Sequence, residues 1–319
     1  MKVSVAMCTY NGEKYLSQQI DSILNQKGGF EIEIIVCDDK STDKTLEILN
    51  AYKHKFQHVF QIFQNDGNLG STKNFEKAIS LCQGDYIFLA DQDDVWRIDK
   101  IETTLSKFQE NKQIEGVFTN ADLIDFENKK YSNSKLWDNI YFLEEQLFKP
   151  IDFIDLIFKN GNIVTGATLC IKKQSKEIIF PFPADVIHDE WIATVLALKN
   201  TLDYINQDLI SYRIHKNQQI GIKTKSKIAK IKQKKLIVLG LLKPKKFADY
   251  RILLKKNYLK YKKLKSFEKI NLDLPHLQTM IFESEKKIIN LNLETKQKFP
   301  ISYLFSTVCD NLLKKRQQL

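Results

Sequence analysis

The sequence predicts an α/β protein in which helices flank a mostly parallel β-sheet, with a basic α-helical extension at its C-terminal end. Three observations support this fold class. Strand-like and helix-like segments alternate through the first 90 residues, as they do when crossover helices join parallel strands. Polar residues follow each predicted strand. The excess of charge changes from acidic to basic near residue 222.

Two strand–loop–helix units occupy the first 50 residues. Residues 3–8 form an apolar run typical of a buried strand, and residues 15–24 carry apolar side chains at helical spacing. A second strand is predicted at residues 31–37, and Ser41 or Thr42 is placed to cap the helix that follows. Repetition of this unit predicts that the two strands are parallel neighbours.

A third unit and a fourth strand complete the pattern. A strand at residues 59–63 precedes a polar turn and a helix over residues 72–82, and the fourth strand spans residues 86–90. In such sheets, ligands bind beyond the carboxyl ends of the strands. The segments after the four strands should therefore converge on one site. They are Thr9 to Asn11, Asp38 with Asp39, Asn68 to Lys73, and Asp91 to Asp94.

The acidic segment directly after the fourth strand carries the clearest chemical signal. Asp91 and Asp93 are two residues apart, so their side chains point the same way from an extended chain. Carboxylate oxygens are preferred ligands of Mg²⁺ and Mn²⁺, and Mg²⁺ in proteins is often shared with substrate phosphates. The segment therefore predicts a nucleoside diphosphate held through a metal. The alternative is a polar loop that caps the helix beginning near Arg97.

The absence of two motifs disfavours two enzyme classes. The first loop lacks Gly-x-Gly-x-x-Gly, and no Gly-x-x-x-x-Gly-Lys-Ser/Thr occurs, which disfavours dinucleotide-dependent oxidoreductases and P-loop NTPases. Beyond the acidic segment, a strand is predicted at residues 116–124, a turn and strand at 161–171, and a helix from Trp191 to Leu198. The simple alternation of strand and helix is lost in this half.

Four motifs in this order resemble the family 2 glycosyltransferases, which are inverting enzymes with the Rossmann-like GT-A fold. The motifs are residues 3–11, residues 36–43, Asn68 to Phe75, and Asp91 to Trp96. Two later segments are most similar to the branch that builds bacterial surface polysaccharides and includes rhamnosyltransferases. They are His188-Asp189-Glu190-Trp191 and Tyr212-Arg213-Ile214-His215.

The resemblance implies a catalytic domain at residues 1–222, with a nucleotide-sugar half at 1–115 and an acceptor half at 116–222. Residues 223–319 lie outside the resemblance. The implied donor is a UDP- or dTDP-sugar, with dTDP-rhamnose as one candidate.

Donor-binding roles follow from the resemblance. Asp39 would accept a hydrogen bond from the pyrimidine base, Asp91 would contact the ribose, and Asp93 would bind Mg²⁺ or Mn²⁺. Asp91 and His215 are further candidate metal ligands. The other implied donor contacts are Thr9, Tyr10, Asn11, Glu13, Gly70, Lys73, Gln92, Arg213 and His215. Helix capping is the alternative for Asp39, a solvated helix face for Lys73, and a structural role for His215.

The resemblance also places the catalytic base in the segment that begins at His188. Asp189 corresponds to the base, Glu190 is the alternative base, and His188 replaces an acidic neighbour. An inverting transfer needs one base that takes the acceptor hydroxyl proton as the oxygen attacks the anomeric carbon. Gly166 and Trp191 would line the acceptor or sugar pocket. Helix capping is the alternative for Asp189, and core packing for Trp191.

The charges divide the chain into an acidic body and a basic tail. Residues 1–222 carry 24 Lys and Arg against 32 Asp and Glu, whereas residues 223–319 carry 25 against 7. The tail also has apolar residues at helical spacing, interrupted by Pro244, Pro275 and Pro300. We expect short amphipathic helices that bind an anionic membrane surface, pack on the catalytic domain or form an oligomer. No nucleic-acid partner is expected, because no nucleic-acid-binding module is recognised.

The resulting hypothesis is a metal-dependent, inverting glycosyltransferase that acts on a growing, lipid-linked cell-surface glycan. No apolar run approaches the roughly 20 residues that span a bilayer, and no signal-peptide core is recognised, so we expect a cytoplasmic, peripheral membrane enzyme. The five scattered cysteines predict no disulfide framework. The alternatives are a nucleotidyltransferase that acts on a sugar phosphate and a catalytically inactive scaffold docked to membrane.

Overall fold

A computed structural model describes residues 1–131, 133–140, 142, 151–215, 236–238, 240, 242–268 and 277–312. Contacts between residues divide the chain into two compact units. The first unit comprises Met1–Phe153 and Asn162–Lys223, and the second comprises Ile154–Gly161 and Thr224–Leu319. Each unit has its own set of elements.

An eight-stranded sheet forms the centre of the first unit. The strands are β1 (Lys2–Thr9), β2 (Glu31–Asp38), β3 (Phe60–Gln64), β4 (Tyr86–Ala90), β5 (Val95–Trp96), β6 (Gly116–Ile124), β7 (Leu169–Lys172) and β8 (Leu202–Arg213). Their order in the sheet is β3-β2-β1-β4-β7-β6-β8-β5. The four predicted strands β1 to β4 pair in parallel, which confirms the α/β fold class.

Helices cover the sheet because each buries one apolar face. Those of the first unit are α1 (Leu16–Leu24), α2 (Thr45–Lys55), α3 (Gly70–Leu81), α4 (Lys100–Glu110), α5 (Leu136–Ile140), α7 (Lys176–Ile179) and α8 (His188–Leu198), whereas α6 (Phe153–Asn160) belongs mostly to the second unit. In α1, Leu16, Ile20 and Ile23 are fully buried at helical spacing. Each such side chain contributes about 1.5–3 kcal/mol on burial.

The order of the strands creates a crevice at the carboxyl end of β1. The chain runs from β1 outward through β2 to β3 and then returns to β4, on the other side of β1. Loops at such a reversal diverge and leave space for a ligand. In the pairing of β1 with β4, Met7 lies opposite Ala90. The acidic segment therefore begins beside the end of β1.

The second half of the sheet is mixed. β7 is antiparallel to both β4 and β6, and β5 is antiparallel to β8. β8 runs parallel to β6 with shifts in register around Asn120. Neither β5, which has two residues, nor most of β8 was predicted from the sequence. Recognition of a strand such as β8 depends on alternating polar and apolar residues. This alternation is interrupted by the polar run at residues 206–208, where the register with β6 is also irregular.

The described part of the second unit consists mainly of helices. They are α9 (Phe247–Phe267), α10 (Leu277–Lys298) and α11 (Pro300–Leu312), together with most of α6. Contacts within the unit include an ion pair between Lys260 and Asp155 (2.8 Å) and a hydrogen bond from the Tyr250 hydroxyl to Glu294 (2.7 Å). No helix among the described residues is long and apolar enough to cross a bilayer. The parts of the predicted basic region at 223–235, 269–276 and 313–319 lie outside the described residues.

Candidate active site

The side chain of Gln92 joins the loops after β1 and β4. Its amide oxygen accepts a hydrogen bond from the Tyr10 N–H (2.8 Å), and its amide nitrogen donates to the Tyr10 carbonyl (3.0 Å). Gly12 leaves room for this pairing, because a Cβ at that position would lie 2.2 Å from Gln92 Oε1. Gln92 therefore holds the first loop against the acidic segment. The Tyr10 side chain itself is exposed at the crevice.

The other polar residues of the first loop contact the loop after β2. Asn11 has a φ of 49°, and its side-chain oxygen accepts a hydrogen bond from the Thr42 N–H (2.8 Å). Glu13 Oε2 accepts the N–H that precedes α2 (2.9 Å), and the Thr9 hydroxyl donates to Asp38 (2.9 Å). These three predicted donor contacts therefore connect neighbouring loops of the crevice to each other.

Asp39 is buried at the start of α3. Its Oδ1 accepts hydrogen bonds from Asn65 Nδ2 (2.9 Å) and the Leu69 N–H (2.7 Å), and its Oδ2 accepts one from the Gly70 N–H (2.9 Å). Gly70 has a φ of +75°, a conformation that L side chains rarely adopt. Asp39 thus holds the turn that opens α3, and its contact with the pyrimidine base stays a prediction. A pyrimidine N–H that binds Asp39 would be the fourth hydrogen-bond donor to this carboxylate.

The carboxylates of the acidic segment have different surroundings. The Asp91 side chain has no hydrogen-bond partner in the described part of the chain, and burial raises its pKa, which Asp93 and Asp189 raise further. Burial also raises the pKa of Asp94, whose Oδ2 has no partner among the described residues. Asp93 Oδ2 lies 2.7 Å from His215 Nε2. Because Asp189 raises the pKa of Asp91, these two carboxylates, one from each predicted half of the site, lie close enough to interact.

Arg213 is fully buried behind the acidic segment. Its guanidinium donates to the Asp93 carbonyl (2.6 Å), the Asp125 carbonyl (2.9 Å) and Gln18 Oε1 (2.9 Å). Its backbone N–H donates to Asp94 Oδ1 (3.0 Å). Arg213 therefore supports the backbone that carries the carboxylates, and its role as a donor contact stays a prediction.

Lys100 is a buried lysine that was not among the predicted site residues. It is the first residue of α4, and its Nζ donates to the Ala167 carbonyl (2.7 Å) and lies 4.4 Å from the centroid of the Trp96 ring. Burial lowers its pKa to about 7. The available signal was its spacing, because Trp96, Lys100 and Thr104 are four residues apart and all buried. Lysines at the start of a helix are more often solvated.

Asp189 lies in the first turn of α8. Its Oδ1 accepts hydrogen bonds from Asn162 Nδ2 (2.8 Å) and the Glu190 N–H (2.7 Å), and its Oδ2 accepts one from the Gly166 N–H (2.9 Å). Burial raises its pKa to about 6, against the effect of these hydrogen bonds. A carboxylate with this pKa is ionised at neutral pH and is a stronger base than an exposed aspartate. Asn162 was not among the predicted site residues.

His188 precedes Asp189 and is neutral. Its ring is 6% exposed and stacks on Phe75, with the ring centroids 4.1 Å apart. Burial lowers its pKa to about 3, and neither ring nitrogen has a partner among the described residues. A Cβ on Gly166 would lie 2.7 Å from His188 Nε2. The predicted pocket residue Gly166 is therefore required by its close approach to this ring.

Two other predicted contacts have partners in the protein. Trp191 is 3% exposed, and its indole N–H donates to the Ile179 carbonyl (2.6 Å). It packs in the core, so its ring faces are not a platform for a sugar. The Lys73 ammonium contacts Glu76 (2.5 Å) and the Phe182 carbonyl (2.8 Å), which connects α3 to the segment before α8.

The acidic segment suits a cation shared with a substrate. Within the described residues, no group of three or more His, Cys, Asp and Glu side chains is arranged to hold a metal ion. Mg²⁺ bound with a nucleotide needs only one or two protein carboxylates, because phosphate oxygens and water supply the other ligands. Asp91 fits this chemistry, since its carboxylate has no partner in the described chain and lies near Asp93 and Asp189. A cation would offset this repulsion.

The sequence of this domain matches a known protein family. Residues 4–164, which are half of the chain, match the family model described as Glycosyl transferase family 2. The chain belongs to glycosyltransferase family 2. It is therefore an enzyme that transfers sugars. This membership favours glycosyl transfer over the nucleotidyltransferase and scaffold alternatives.

Individual glycosyltransferases show the same likeness. The chain is 30% identical over 228 residues to the dTDP-rhamnosyl transferase RfbG of Shigella flexneri, covering 67% of this chain and 73% of RfbG. It is 27% identical over 223 residues to the abequosyltransferase RfbV of Salmonella typhimurium, covering 67% of each protein. The crystal structure of S. aureus TarS 1-349 with UDP-GlcNAc has a TM-score of 0.55 at 17% identity, covering 91% of this chain and 81% of TarS 1-349. The GT-A fold is thereby confirmed.

Proposed function

We propose that this family 2 glycosyltransferase transfers a sugar from a UDP- or dTDP-sugar to a hydroxyl group of a growing, lipid-linked cell-surface glycan. The observation that carries the proposal is the buried Asp189 carboxylate, which influences Asp91 across the crevice. The names of RfbG and RfbV support a deoxysugar donor, and dTDP-rhamnose is one candidate. The TarS complexes with UDP and UDP-GlcNAc support a nucleotide-sugar donor.

Asp189 would act as the general base. It takes the proton of the acceptor hydroxyl as that oxygen bonds to the anomeric carbon, while the bond from this carbon to the diphosphate breaks. The nucleoside diphosphate leaves with the bonding electrons, and the anomeric configuration inverts. One displacement of this kind needs no covalent enzyme intermediate. Asn162 and Gly166 would hold the carboxylate in place.

Asp91 and Asp93 would hold Mg²⁺ or Mn²⁺, and His215 would orient Asp93 through their 2.7 Å contact. A bound divalent cation neutralises the charge that develops on the diphosphate. Gln92 and Asp39 would keep the loops around the base and ribose in place. Tyr10, exposed at the crevice, offers an aromatic face to the pyrimidine.

Product analysis tests the reaction. The full chain is incubated with UDP- and dTDP-sugars, including dTDP-rhamnose, with Mg²⁺ or Mn²⁺ and a lipid-linked glycan acceptor. Acceptor-dependent release of nucleoside diphosphate is expected. Release of pyrophosphate would instead identify a nucleotidyltransferase, and failure to release either product from any donor would contradict the proposal.

The metal assignment needs its own comparison. Asp93→Ala should abolish metal-dependent binding of the nucleotide and turnover, because it removes a proposed ligand. Asp99→Ala is the matched control, since Asp99 is a nearby aspartate paired to Arg97 at the surface. Unchanged turnover by Asp93→Ala would show that this residue holds no essential metal.

The basic second unit would hold the enzyme at an anionic membrane surface. Three apolar side chains of α11 are strongly exposed: Ile301 (71%), Leu304 (65%) and Phe305 (67%). Together with the excess of positive charge at residues 223–319, this is typical of a helix that lies in a lipid interface. Attachment on the cytoplasmic side would bring the enzyme to a lipid-linked acceptor.

A further inference from the structure

Lys100 presents a feature that the proposed reaction does not use. Its side chain is completely buried, although a buried ammonium is costly to desolvate. In the described chain its one hydrogen bond is the 2.7 Å contact with the Ala167 carbonyl. The charged or ionisable groups that influence it are Asp94, Cys170 and Asp91. Because a fully buried lysine contributes nothing to solubility, we look for a structural or functional role for Lys100.

The Ala167 carbonyl that accepts the Lys100 hydrogen bond lies next to Gly166, whose N–H binds the proposed base. Ala167 is the middle residue of the single 3-10 turn Gly166–Thr168, which is closed by a hydrogen bond from the Thr168 N–H to the Thr165 carbonyl (2.8 Å). The first residue of the turn, Gly166, donates its N–H to Asp189 Oδ2 (2.9 Å). One short turn is therefore held by Lys100 at one residue and holds Asp189 at the preceding one.

The position of Lys100 connects this turn to the acidic segment. Lys100 begins α4, six residues after Asp94, and the intervening Trp96 lies beneath its ammonium. Asp94 is itself fixed by the Arg213 N–H. In its protonated form, Lys100 also lowers the pKa values of Asp91 and Asp94. No other described lysine both donates to the turn at residues 166–168 and faces these carboxylates.

We propose that Lys100 is a positioning residue, which holds the Gly166–Thr168 turn and thereby the Asp189 carboxylate in place relative to the acidic segment. The inference rests on the proposed function, in which Asp189 is the base. Its role differs from that of a metal ligand or a donor contact, because its side chain is fully buried and its ammonium donates to the Ala167 carbonyl. Removing Lys100 should therefore impair the chemical step while leaving donor binding intact.

Lys100→Met tests the proposal, because methionine keeps an unbranched apolar stem and removes the ammonium. We expect kcat to fall about 10- to 100-fold, since a misplacement of about 1 Å can cost 100-fold, while the KM for the donor changes little. The acid limb of the kcat profile should move to higher pH. The physical reason is that the Gly166 N–H lowers the pKa of Asp189, and a displaced turn weakens that hydrogen bond.

A second readout does not depend on activity. Hydrogen exchange in residues 162–170, measured by mass spectrometry on the full chain without substrate, should become faster in Lys100→Met. Lys176→Met is the matched control, because Lys176 also donates to backbone carbonyls, those of Cys82 (2.6 Å) and Ser80 (3.1 Å), outside the site. It should leave both the acid limb and the exchange of residues 162–170 unchanged.

The two readouts separate the inference from the proposed function. Unchanged exchange and an unmoved acid limb in Lys100→Met would overturn the positioning role. Full activity of Asp189→Asn would overturn the proposed base, while the exchange result would still show whether Lys100 holds the turn. If Lys100→Met does not fold, Lys100→Gln, which keeps a neutral donor, is measured in the same way.

Discussion

Asp189 and Glu190 are neighbours in sequence with different surroundings. Asp189 is buried and receives three hydrogen bonds, and its pKa is raised to about 6. Glu190 is only partly buried. A base works best when its pKa is near the working pH and its position is fixed. Both criteria favour Asp189.

Asp189→Asn should retain donor binding and lose about 10²- to 10⁴-fold in turnover, the usual contribution of a general base. In the unchanged protein, turnover should fall as the pH drops through about 6, because the raised pKa means that Asp189 is protonated below that value. The variant should lack this acid limb. Steady-state kinetics and nucleotide titration measure these quantities.

Glu190→Gln serves as the control and should be the milder change. A larger loss in Glu190→Gln than in Asp189→Asn would reassign the base to Glu190. An equal loss of donor affinity in Asp189→Asn would indicate a structural or metal-binding role.

The sequence predicted which polar residues lie at the site more successfully than it predicted the role of each one. Strand-end position placed Thr9, Asp39 and Asp91 at one edge, because parallel strands end together. It could not show that Asp39 holds the start of α3 or that Gln92 pairs with a backbone, since both depend on the paths of the loops. Lys100 was missed because its partner is a backbone carbonyl 67 residues away.

At the scale of elements, the loops after β1 and β4 behave as one structural piece. The Gln92 amide pairs with both backbone groups of Tyr10, much as a neighbouring strand would. Gly12 makes room for that amide. The crevice therefore depends on a residue without a side chain as much as on its carboxylates.

Gly12→Ala should displace Gln92 and weaken nucleotide binding, because the added Cβ would lie 2.2 Å from Gln92 Oε1. Overpacking of this kind lowers the free energy of unfolding by about 1–3 kcal/mol. Urea denaturation and nucleotide titration measure both effects. Gly67→Ala is the control, since no atom lies within 4 Å of a Cβ there. Equal behaviour of the two variants would contradict this role of Gly12.

The predicted elements were most reliable where local pattern and topology agree. The units from β1 to β4 repeat one strand–helix scheme, and their strands are parallel. In the second half, β7 inserts antiparallel between β4 and β6. Its four residues have no local signal for that partner, since the pairing is decided by the tertiary structure.

For the whole molecule, the division into two units separates the proposed chemistry from the proposed membrane-binding surface. The first unit contains every described residue that we place in the donor and base sites. The second unit has an excess of basic residues and exposed apolar side chains on α11. This division supports a catalytic unit that is held near its acceptor by a separate surface.

The full chain should sediment with anionic vesicles at low salt, and high salt should weaken the binding because it screens the basic residues. Replacing Ile301, Leu304 and Phe305 by serine should weaken vesicle binding by at least about tenfold, since each buried apolar side chain contributes about 1.5–3 kcal/mol. Sedimentation with vesicles of defined composition measures this effect.

Ile98→Ser with Phe126→Ser is the control for vesicle binding, because both residues are exposed and apolar but belong to the first unit. If the unchanged chain does not bind anionic vesicles even at low salt, the second unit instead packs within the protein or forms an oligomer. A mass measurement in solution would detect the oligomer.

The stacked, neutral ring of His188 makes it a natural spectroscopic reporter. The chain has only five histidines, and this one keeps its charge state at all pH values well above about 3. Its own ionisation will therefore not shift its imidazole signals at ordinary pH values. A shift of those signals on adding a donor or an acceptor would report contact or movement beside Asp189, and would do so before any bond is made.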